Sequence, residues 1–416
     1  MIASRRGLFY GFLTLYVLEA LNRTFTEAML VMALPLLANS LTQPFIWGPL
    51  SDRLGRRKIF IALGETVAGL AYIILSPPVW SLFTGFIVEE AKTLYAYSLI
   101  AGLTILESLW SMSNVGWSAL LADLTEPENR GVIMGQLSSV AAVGRIVGVF
   151  IGGILYDYPK KAEGFPYLFY VSSIIMFSSA LIILLTVEEE RGRQIHYKRK
   201  VEIPISEFFP EKTIFYVFLV SIMFWSIALA STRRILNYYL RLALLATSLE
   251  ISIISNVSSL TQLLVNPIIG KLSDVKGRIP LLQLGFGLAI LVPILYTLPQ
   301  SIILLIPVSV VAGITSAISM TVTYAYVADI IPEEVRGRYF GRYNMIRSIS
   351  FGVIPIITAG ILADIWAHAY ISEGLDTTVA QINAMVNVFY LSAFIALFGF
   401  TIFQIHNLLR KRRRTK

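Results

Sequence analysis

The sequence has no cysteine and only three histidines among its 416 residues. Without thiols, the chain forms no disulfide and offers no thiolate ligand to a metal. His196, His368 and His406 fall outside the long apolar runs, so those runs lack the side chain that most readily exchanges a proton near neutral pH. Charged residues make up 14% of the chain, whereas soluble proteins average about 25%. These absences exclude disulfide and thiolate–metal chemistry and indicate a chain that lies in lipid.

Long apolar runs fill most of the sequence. Hydrophobic residues account for 56% of it, and the mean hydropathy is +0.70. About 20 apolar residues in a helix cross a hydrocarbon core of about 30 Å. The runs predict transmembrane helices 2 to 12 near 28–50, 59–79, 95–122, 131–156, 167–187, 213–240, 249–271, 279–298, 301–328, 339–363 and 384–405. No A-x-A-like site follows the first run, so we expect no cleavable signal peptide.

The first helix is the exception, because its apolar stretch at 7–21 covers only about 22 Å at 1.5 Å per residue. The segment 4–6 resembles 231–234 in the seventh helix, which lies further along its own apolar run. Two interpretations stay open. Either the sequence begins partway along helix 1, or helix 1 is short and tilted with Arg5 and Arg6 at the cytoplasmic surface.

Two short motifs each occur twice. The pattern G-x-L-S-D-x-x-G-R stands at 48–56 and again at 270–278, with the aspartates 222 residues apart. The pattern D-x6-R-G stands at 123–131 and again at 329–337, which is a spacing of 206 residues. Two motifs repeated in the same order indicate two homologous halves. The sequence therefore predicts an all-α membrane protein with twelve transmembrane helices in two pseudo-symmetric six-helix bundles.

The predicted loops divide the chain and orient it. The two halves are expected at 1–187 and 213–416, joined by a charged linker at 188–212. One side of the membrane carries 23 lysines and arginines in its loops and the other carries five, so the richer side is cytoplasmic. Both copies of each motif, the linker and the basic tail lie on that side. We therefore expect a multi-pass protein of the cell membrane with both termini in the cytoplasm.

The motifs resemble the signature of the major facilitator superfamily, and the resemblance covers essentially the whole chain. That family carries G-x-L-x-D-R-x-G-R-R/K between its second and third helices, and residues 48–57 match it, whereas the second copy has Val275 in place of the first arginine. The resemblance implies a gate that holds the cytoplasmic side shut. Its predicted members are Gly48, Asp52, Arg53, Gly55, Arg56, Asp123, Arg130, Gly270, Asp274, Gly277, Arg278, Asp329 and Arg336.

Physical chemistry supports this interpretation of the motif. Gly55 permits the backbone angles of a tight turn, and Asp52 is suited to a helix N-terminus, where partial positive charge favours an anion. Arg56 is expected to pair with Asp123, and by symmetry Asp274, Arg278 and Asp329 are expected to repeat this arrangement in the second copy. The alternative is that the arginines only orient the chain by the positive-inside rule, although orientation does not require the acids.

The predicted helix 5 carries a stripe of glycines at 144, 148, 152 and 153. The stripe resembles the antiporter motif G-P-x-x-G-G of the same family, but Val149 stands in the proline position. Close helix packing explains such small residues without any antiport function. Both explanations stay open, and packing is favoured.

Ionisable residues within the apolar runs are the best indicators of a binding site, because a charge in lipid is costly and usually faces a cavity. The family resemblance implies that helices 1, 4, 7 and 10 line that cavity, with Trp110, Trp117, Trp225 and Tyr324 as candidate walls. The residues predicted to bind substrate are Arg6, Glu107, Asn114, Arg145, Arg233, Arg234 and Asn237. Arg145 is considered a partner for Glu107, and Arg5, Arg347 and Glu65 complete the set of intramembrane charges.

The excess of arginines favours an anionic substrate, because the planar guanidinium grips carboxylate or phosphate with two hydrogen bonds. We therefore expect a secondary transporter of a small solute, an organic anion in the first instance, working by alternating access. A proton-coupled drug or sugar transporter is the alternative, with Glu107, or less favourably Glu65, carrying the proton. An intramembrane enzyme lacks a suitable nucleophile and base, and a sensor or scaffold lacks soluble extensions. Lipid is the expected environment of a monomer that uses no cofactor and binds no nucleic acid.

Overall fold

The computed structural model describes residues 2–54, 56–124, 130–160, 162–187, 212–331 and 336–414, and among them it contains helices but no strand. Residues 188–211, which hold nearly all of the predicted linker, lie outside the described part. We number the long helices α1 (Ile2–Arg5, Arg6–Tyr10 and Gly11–Glu19), α2 (Phe25–Thr42, Gln43–Trp47 and Gly48–Leu54), α3 (Arg57–Leu75), α4 (Lys92–Leu124), α5 (Arg130–Tyr156), α6 (Phe165–Thr186), α7 (Lys212–Ala243), α8 (Ser248–Lys276), α9 (Arg278–Thr297), α10 (Ile302–Ala317, Ile318–Val322 and Thr323–Ile330), α11 (Arg336–Gly352, Ile356–Ile361 and Leu362–Ser372) and α12 (Thr377–Arg414).

These helices confirm the all-α prediction. In each helix given as three segments, the middle segment has π-helical hydrogen bonding. Ten helices in the described part of the chain are long and apolar enough to cross a membrane. Many large apolar side chains on them are exposed in the bare protein, and we assign that surface to lipid.

Local sequence explains where α2 and α8 begin. Thr24 and Glu27 form a capping box, in which the Glu27 backbone N–H donates to the Thr24 hydroxyl and the Thr24 N–H donates to Glu27 Oε2 at 2.9 Å. Thr247 and Glu250 form the same box at the start of α8, with the Thr247 N–H 2.8 Å from Glu250 Oε2. The two boxes stand 223 residues apart, so the sequence repeat reappears as a structural one.

Several predicted helix boundaries are wrong, among them the end of helix 12, which runs on from 405 to Arg414. Helix α3 ends at Leu75 instead of 79, because two prolines follow and start the short helix Pro77–Thr84. Helix α11 runs on to Ser372 and α12 begins at Thr377, so only four residues separate them. Polar residues lower the hydropathy of these ends without interrupting the helix. The loop is set by Gly374 at φ 93° and by Asp376, whose Oδ1 accepts from the Thr378 N–H at 2.8 Å.

The longer helices correct a second expectation. His368 lies in α11 and His406 lies in α12, both within the helical stretches that are long enough to cross a membrane. His406 is fully buried, and its imidazole lies 2.6 Å from the Tyr326 hydroxyl through Nε2 and 3.0 Å from the Ile214 carbonyl oxygen through Nδ1. The interior of the second half therefore does contain a histidine.

The chain divides into two compact units. The first comprises Met1–His196 with Thr247–Ile253, and the second comprises Tyr197–Ala246 with Ile254–Lys416. Aromatic rings fill the core of each. In the first unit Phe9 lies 4.9 Å from Tyr72 and 4.8 Å from Phe169, measured between ring centroids. In the second, Phe286 lies 4.4 Å from Trp225 and 4.9 Å from Phe403.

Candidate functional site

A buried ion pair joins α1 to α4 within the first unit. Arg5 Nη2 lies 3.1 Å from Glu107 Oε1, and the relative exposure of the two residues is 0% and 4%. Two charges removed from water are stable only when further hydrogen bonds satisfy them. Tyr10 donates its hydroxyl to Glu107 Oε1 at 2.9 Å, and Asn39 donates Nδ2 to Oε2 at 3.0 Å. Both oxygens of the Glu107 carboxylate therefore have donors.

Arg5 makes two further contacts. Its Nη1 donates to the Tyr72 hydroxyl at 3.0 Å, and its guanidinium carbon lies 4.3 Å from the centre of the Trp110 ring. Arginine stacked on an indole face gains a cation–π attraction that is strongest where water is excluded. These contacts hold the guanidinium in one orientation between α3 and α4.

A second carboxyl group lies on the other side of Trp110. The indole Nε1 donates to Glu65 Oε1 at 3.0 Å, and the Ser113 hydroxyl donates to the same oxygen at 2.6 Å. Glu65 has no exposed surface. The cluster formed by Arg5, Glu107, Trp110 and Glu65, which we call the first-unit polar cluster, thus contains one cation and two carboxyl groups.

The glycine stripe of α5 holds α1 in the position that this cluster requires. A Cβ atom placed on Gly148 would lie 2.0 Å from the Ser4 carbonyl oxygen, and one placed on Gly7 would lie 2.3 Å from the Arg145 carbonyl oxygen. Only glycine allows the two backbones to approach this closely. The packing explanation of the stripe is therefore supported. The π-helical segment Arg6–Tyr10 follows at once and lets Arg5 and Tyr10 reach the same carboxylate.

The other predicted residues of the first unit lie around this cluster. Arg6 has a side chain that is 47% exposed, with Nη2 4.0 Å from Glu107 Oε2 and the guanidinium carbon 5.1 Å from the Trp110 ring. Asn114 is half-buried on α4. Arg145 is exposed, and the suggested pairing of Arg145 with Glu107 is wrong because Arg5 takes that place. The choice between a first helix that begins upstream and a short tilted one stays open, because burial of Arg5 does not fix its depth in the membrane.

The predicted residues of the second unit lie on α7. Arg233 is exposed and donates to the Ser316 hydroxyl at 3.4 Å, and Asn237 is half-buried. Arg234 donates Nη2 to the Phe351 carbonyl oxygen at 3.2 Å, whereas its buried Nη1 has no partner among the described residues. Trp225, expected to line a cavity, lies instead in the core of this unit.

The second copy of the gate motif forms the predicted pair of Arg278 with Asp329, and Arg278 also pairs with Asp274. Arg278 Nε lies 3.0 Å from Asp329 Oδ2, and Nη1 bonds Asp274 Oδ1 and the Ser273 hydroxyl. Gly277 precedes the arginine with φ 88°, a backbone angle that favours glycine, and Gly270 lies half-buried in α8. The role of this arrangement as a gate stays a prediction.

The first copy is described only in part. Arg57, rather than Arg56, donates to the Ser51 hydroxyl, at 2.6 Å, and Arg56 is exposed. Arg53 is also exposed, and Gly48 is half-buried. The predicted pairing of Arg56 with Asp123 stays untested, because the side chain of Asp123 lies outside the described part of the structure. The same holds for the other predicted gate residues, either for the whole residue or for its side chain: Asp52, Gly55, Arg130 and Arg336.

The sequence analysis missed four residues of this hydrogen-bond network. Tyr72 bonds Arg5, Tyr10 and Asn39 bond Glu107, and Gln43 bonds Asn39. Arg6 was also chosen over Arg5, which had been named only as an intramembrane charge. Asn39 carried a detectable signal, since an amide within an apolar helix needs a partner. The tyrosines carried none, because their rings suit any lipid-facing or core position.

Comparison with known proteins gives consistent matches. The family model described as Major Facilitator Superfamily matches residues 1–240 and 228–415. A protein described as uncharacterized MFS-type transporter YuxJ, from Bacillus subtilis, is 28% identical over 201 residues, which are 45% of this chain and 45% of that protein. Multidrug resistance protein MdtG of Proteus mirabilis is 25% identical over 371 residues and covers 86% of this chain and 85% of its own.

A solved structure supports the same fold. The crystal structure of a bacterial homologue of the human lysosomal transporter Spinster, inward-facing and occupied, has a TM-score of 0.78. The identity is 13%, and the alignment covers 98% of this chain and 94% of that one. With the two matched segments, this likeness confirms a twelve-helix fold built from two related halves.

Proposed function

Because the chain belongs to the major facilitator superfamily, we propose that it is a secondary active transporter that moves a small organic anion across the cell membrane by alternating access. The energy would come from a gradient of the substrate or of a coupled ion. The predicted cytoplasmic gate at Arg278 belongs to this proposal, as do the substrate-binding roles of the arginines.

One observation carries the choice of an anion. Arg234 has a buried Nη1 without a partner, and no carboxylate among the described residues lies within 4.0 Å of its guanidinium. A buried guanidinium nitrogen without a hydrogen-bond partner is destabilising, because it has lost its hydration. A carboxylate or phosphate of a ligand would restore the missing hydrogen bond. In the first unit, Arg6 is half-exposed beside a carboxylate whose oxygens already accept from Arg5, Tyr10 and Asn39. Each unit therefore presents a guanidinium that can accept an anionic group.

The test is a thermal-shift panel on the purified protein in detergent. Citrate and glucose 6-phosphate represent the anions, glucose represents neutral solutes, and tetraphenylphosphonium represents lipophilic cations. A ligand present at 100 times its Kd stabilises the folded state by about 2.7 kcal/mol, which raises the melting temperature measurably. We expect a rise with an anion and none with glucose.

Matched variants identify the residue responsible. Arg234→Ala is expected to abolish the anion-dependent rise, and Arg234→Lys to weaken it, because lysine keeps the charge but loses the planar fork. Arg347→Ala serves as the control. It removes an equal charge from the same unit, but Arg347 Nη1 already donates to the Tyr343 hydroxyl at 2.7 Å. An anion effect that survives in Arg234→Ala would contradict the proposed role of this residue.

A multidrug exporter of lipophilic cations is the second candidate, favoured by the similarity to MdtG over most of the chain. A cation needs a carboxylate and an aromatic surface, and Glu107 with Trp110, which Arg5 occupies in this structure, would supply both to a ligand that displaces Arg5. A melting shift with tetraphenylphosphonium and none with either anion would establish this candidate in place of the first.

Orientation has a separate test, because the sequence contains no cysteine. A single cysteine introduced at Lys276 or at Glu90, both exposed, is the only thiol in its variant. In intact cells a membrane-impermeant thiol reagent is expected to label the Glu90→Cys protein, whereas the Lys276→Cys protein reacts only after permeabilisation. The reverse pattern would place the gate motif outside the cell.

A further inference from the structure

Glu65 has the hydrogen-bond pattern of a neutral carboxylic acid. It is fully buried on α3, and its Oε1 accepts from both Trp110 Nε1 and the Ser113 hydroxyl. Its Oε2 is buried and has no partner among the described residues. An ionised carboxylate in this position leaves a charged oxygen with no donor, which is far costlier than a neutral hydroxyl. The protonated form places the carbonyl at Oε1 and the hydrogen on Oε2.

Glu107, only one turn from Trp110 on α4, has the opposite pattern. Its Oε1 accepts from Arg5 and Tyr10, and its Oε2 accepts from Asn39. The carboxylate therefore accepts three hydrogen bonds, one of them from the Arg5 guanidinium, and Arg6 Nη2 lies 4.0 Å from Oε2. The sequence had favoured Glu107 as the proton carrier over Glu65, and the structure reverses that order.

Arg5 connects the two carboxyl groups. Its guanidinium stacks on Trp110 at 4.3 Å, and the same indole donates to Glu65 at 3.0 Å. Its Nε is buried and has no partner among the described residues, so one donor stays available. When Glu65 loses its proton, the new negative charge attracts Arg5 in competition with Glu107.

Two charged side chains act on Glu65 among the residues that the structure describes. They are Arg5 on α1 and Glu107 on α4. Tyr72 of α3 accepts a hydrogen bond from Arg5. Helix α6 also packs on α3, and its residues 165–186 include no Asp, Glu, Lys, Arg or His. Among the described residues, the ionisation of Glu65 is therefore coupled mainly to the ion pair of Arg5 with Glu107.

We propose that Glu65 is the proton-binding residue of this transporter and that Arg5 responds to its ionisation by dividing its hydrogen bonds between Glu65 and Glu107. The proton leaves Glu65 Oε2 for water, and the carboxylate that forms is partly neutralised by Arg5. The proposal rests on the proposed transport function, because it assigns the coupled ion of that transport. It differs from the expectation drawn from the sequence, in which Glu107 on α4 carries the proton.

Infrared spectroscopy of the full-length protein in lipid membranes tests the protonation directly, without any substrate. The wild type is expected to show a carboxylic-acid C=O band at neutral pH that disappears in Glu65→Gln and fades at high pH. Glu27→Gln is the matched control, since Glu27 is equally a buried glutamate of the first unit but accepts bonds from Thr24 in its capping box. Its spectrum is expected to retain the band.

A second measurement tests coupling in the same samples. The anion that raises the melting temperature is added to weakly buffered protein, and a pH indicator reports proton exchange with the solution. Wild type is expected to exchange protons on binding, whereas Glu65→Gln binds the anion with no exchange. The isosteric glutamine preserves the acceptor oxygen for Trp110 and Ser113, and a melting curve checks that the variant folds.

The outcomes separate the two proposals. If the band is absent from wild type, or survives in Glu65→Gln, the assignment of the proton to Glu65 is overturned whether or not the protein transports anions. If no anion binds but the band behaves as expected, the substrate class is wrong and the protonation of Glu65 stands. If Glu65→Gln exchanges protons on binding as the wild type does, Glu65 holds a proton that is not coupled, and the proposal fails.

Discussion

The two halves of the sequence share a framework but differ in their polar interiors. The same capping box begins α2 and α8, and the same gate motif follows each of them. The two carboxyl groups of the first unit are absent from the second. Glu65 corresponds to Gly287, 222 residues later, and Glu107 corresponds to Gly313, 206 residues later, which are the spacings of the two repeated motifs. Duplication therefore kept the framework and changed the chemistry inside it.

In the second unit, helices α8 and α10 pack closely at the position that corresponds to Glu107. A Cβ atom on Gly313 would lie 2.6 Å from the Ser258 carbonyl oxygen and 2.7 Å from Thr261 Cβ, so α10 and α8 are in direct backbone contact there. In the first unit the equivalent helices are separated by Glu107 and Asn39, which meet in a hydrogen bond. At these two pairs of positions, only the first unit has a carboxyl group, at Glu65 and Glu107. Arg234 in the second unit has no carboxylate within ion-pair distance among the described residues.

Removing the acid from the first unit should have the largest effect. Glu107→Ala leaves Arg5 buried without its carboxylate, and breaking a buried pair in this way lowers the free energy of unfolding by about 3–5 kcal/mol. Thermal unfolding in detergent measures the loss. The double variant Arg5→Leu/Glu107→Leu should lose less than Glu107→Ala, because no charge is then left uncompensated. A double variant that is no better than the single one would show that the pair itself, and not the orphaned arginine, carries the stability.

Adding a methyl group at the two glycines should separate their roles. Gly313→Ala forces α8 and α10 apart and is expected to cost about 1–3 kcal/mol, as overpacking does. Gly287→Ala is the matched control, because a Cβ atom there would have no neighbour within 4 Å, and the better helix propensity of alanine should gain about 0.5–1 kcal/mol. Equal effects at the two sites would contradict the close approach of α8 and α10.

The buried histidine of the second unit offers a smaller test. His406 Nδ1 faces a carbonyl, which can only accept, so Nδ1 carries the hydrogen and Nε2 accepts from the Tyr326 hydroxyl. Tyr326→Phe should therefore cost about 1 kcal/mol of stability, the worth of one buried hydrogen bond. Tyr324→Phe is the control, since that ring is 56% exposed and should be neutral. A neutral Tyr326→Phe would mean that water replaces the lost hydroxyl.

The smallest stability effect is expected at the gate motif. Asp274 and Asp329 have side chains that are 65% and 51% exposed, and ion pairs at such sites contribute less than about 1 kcal/mol. Arg278→Gln should therefore barely change the melting temperature, and the small difference should vanish at high salt. The same change at Arg56, which is exposed in the first copy, serves as the comparison. A loss of several degrees at Arg278 alone would show that the second copy also stabilises the fold.

Much of the fold was predictable, and the reasons are local. Apolar runs of sufficient length must be helices in lipid, because only a helix satisfies every backbone group within its own segment. The boundaries failed where polar residues continue a helix beyond its apolar run, as at His406, because hydropathy measures composition and not helix propensity. The arginine and aspartates of the second gate copy were also predictable, since their spacing brings them to one end of neighbouring helices.

The site was predictable in its residue types but not in its pairing. An arginine excess and two acids were visible, yet Arg145 was paired with Glu107 and Arg6 was preferred to Arg5. The choice between adjacent arginines depends on the rotation of α1, which follows from its π-helical segment and from the contact of Gly7 with α5. Neither can be derived from the order of residues alone.

The sequence by itself determined that this chain is a duplicated, all-helical membrane protein with charges inside it, because length, hydropathy and repeated motifs are properties of the chain. Only the tertiary structure decided which charges meet. The strength of a buried ion or hydrogen bond depends on distances of a few ångströms and on the exclusion of water. Those quantities arise when α1, α3 and α4 come together, and they pair Glu107 with Arg5 and leave Glu65 Oε2 buried without a partner among the described residues.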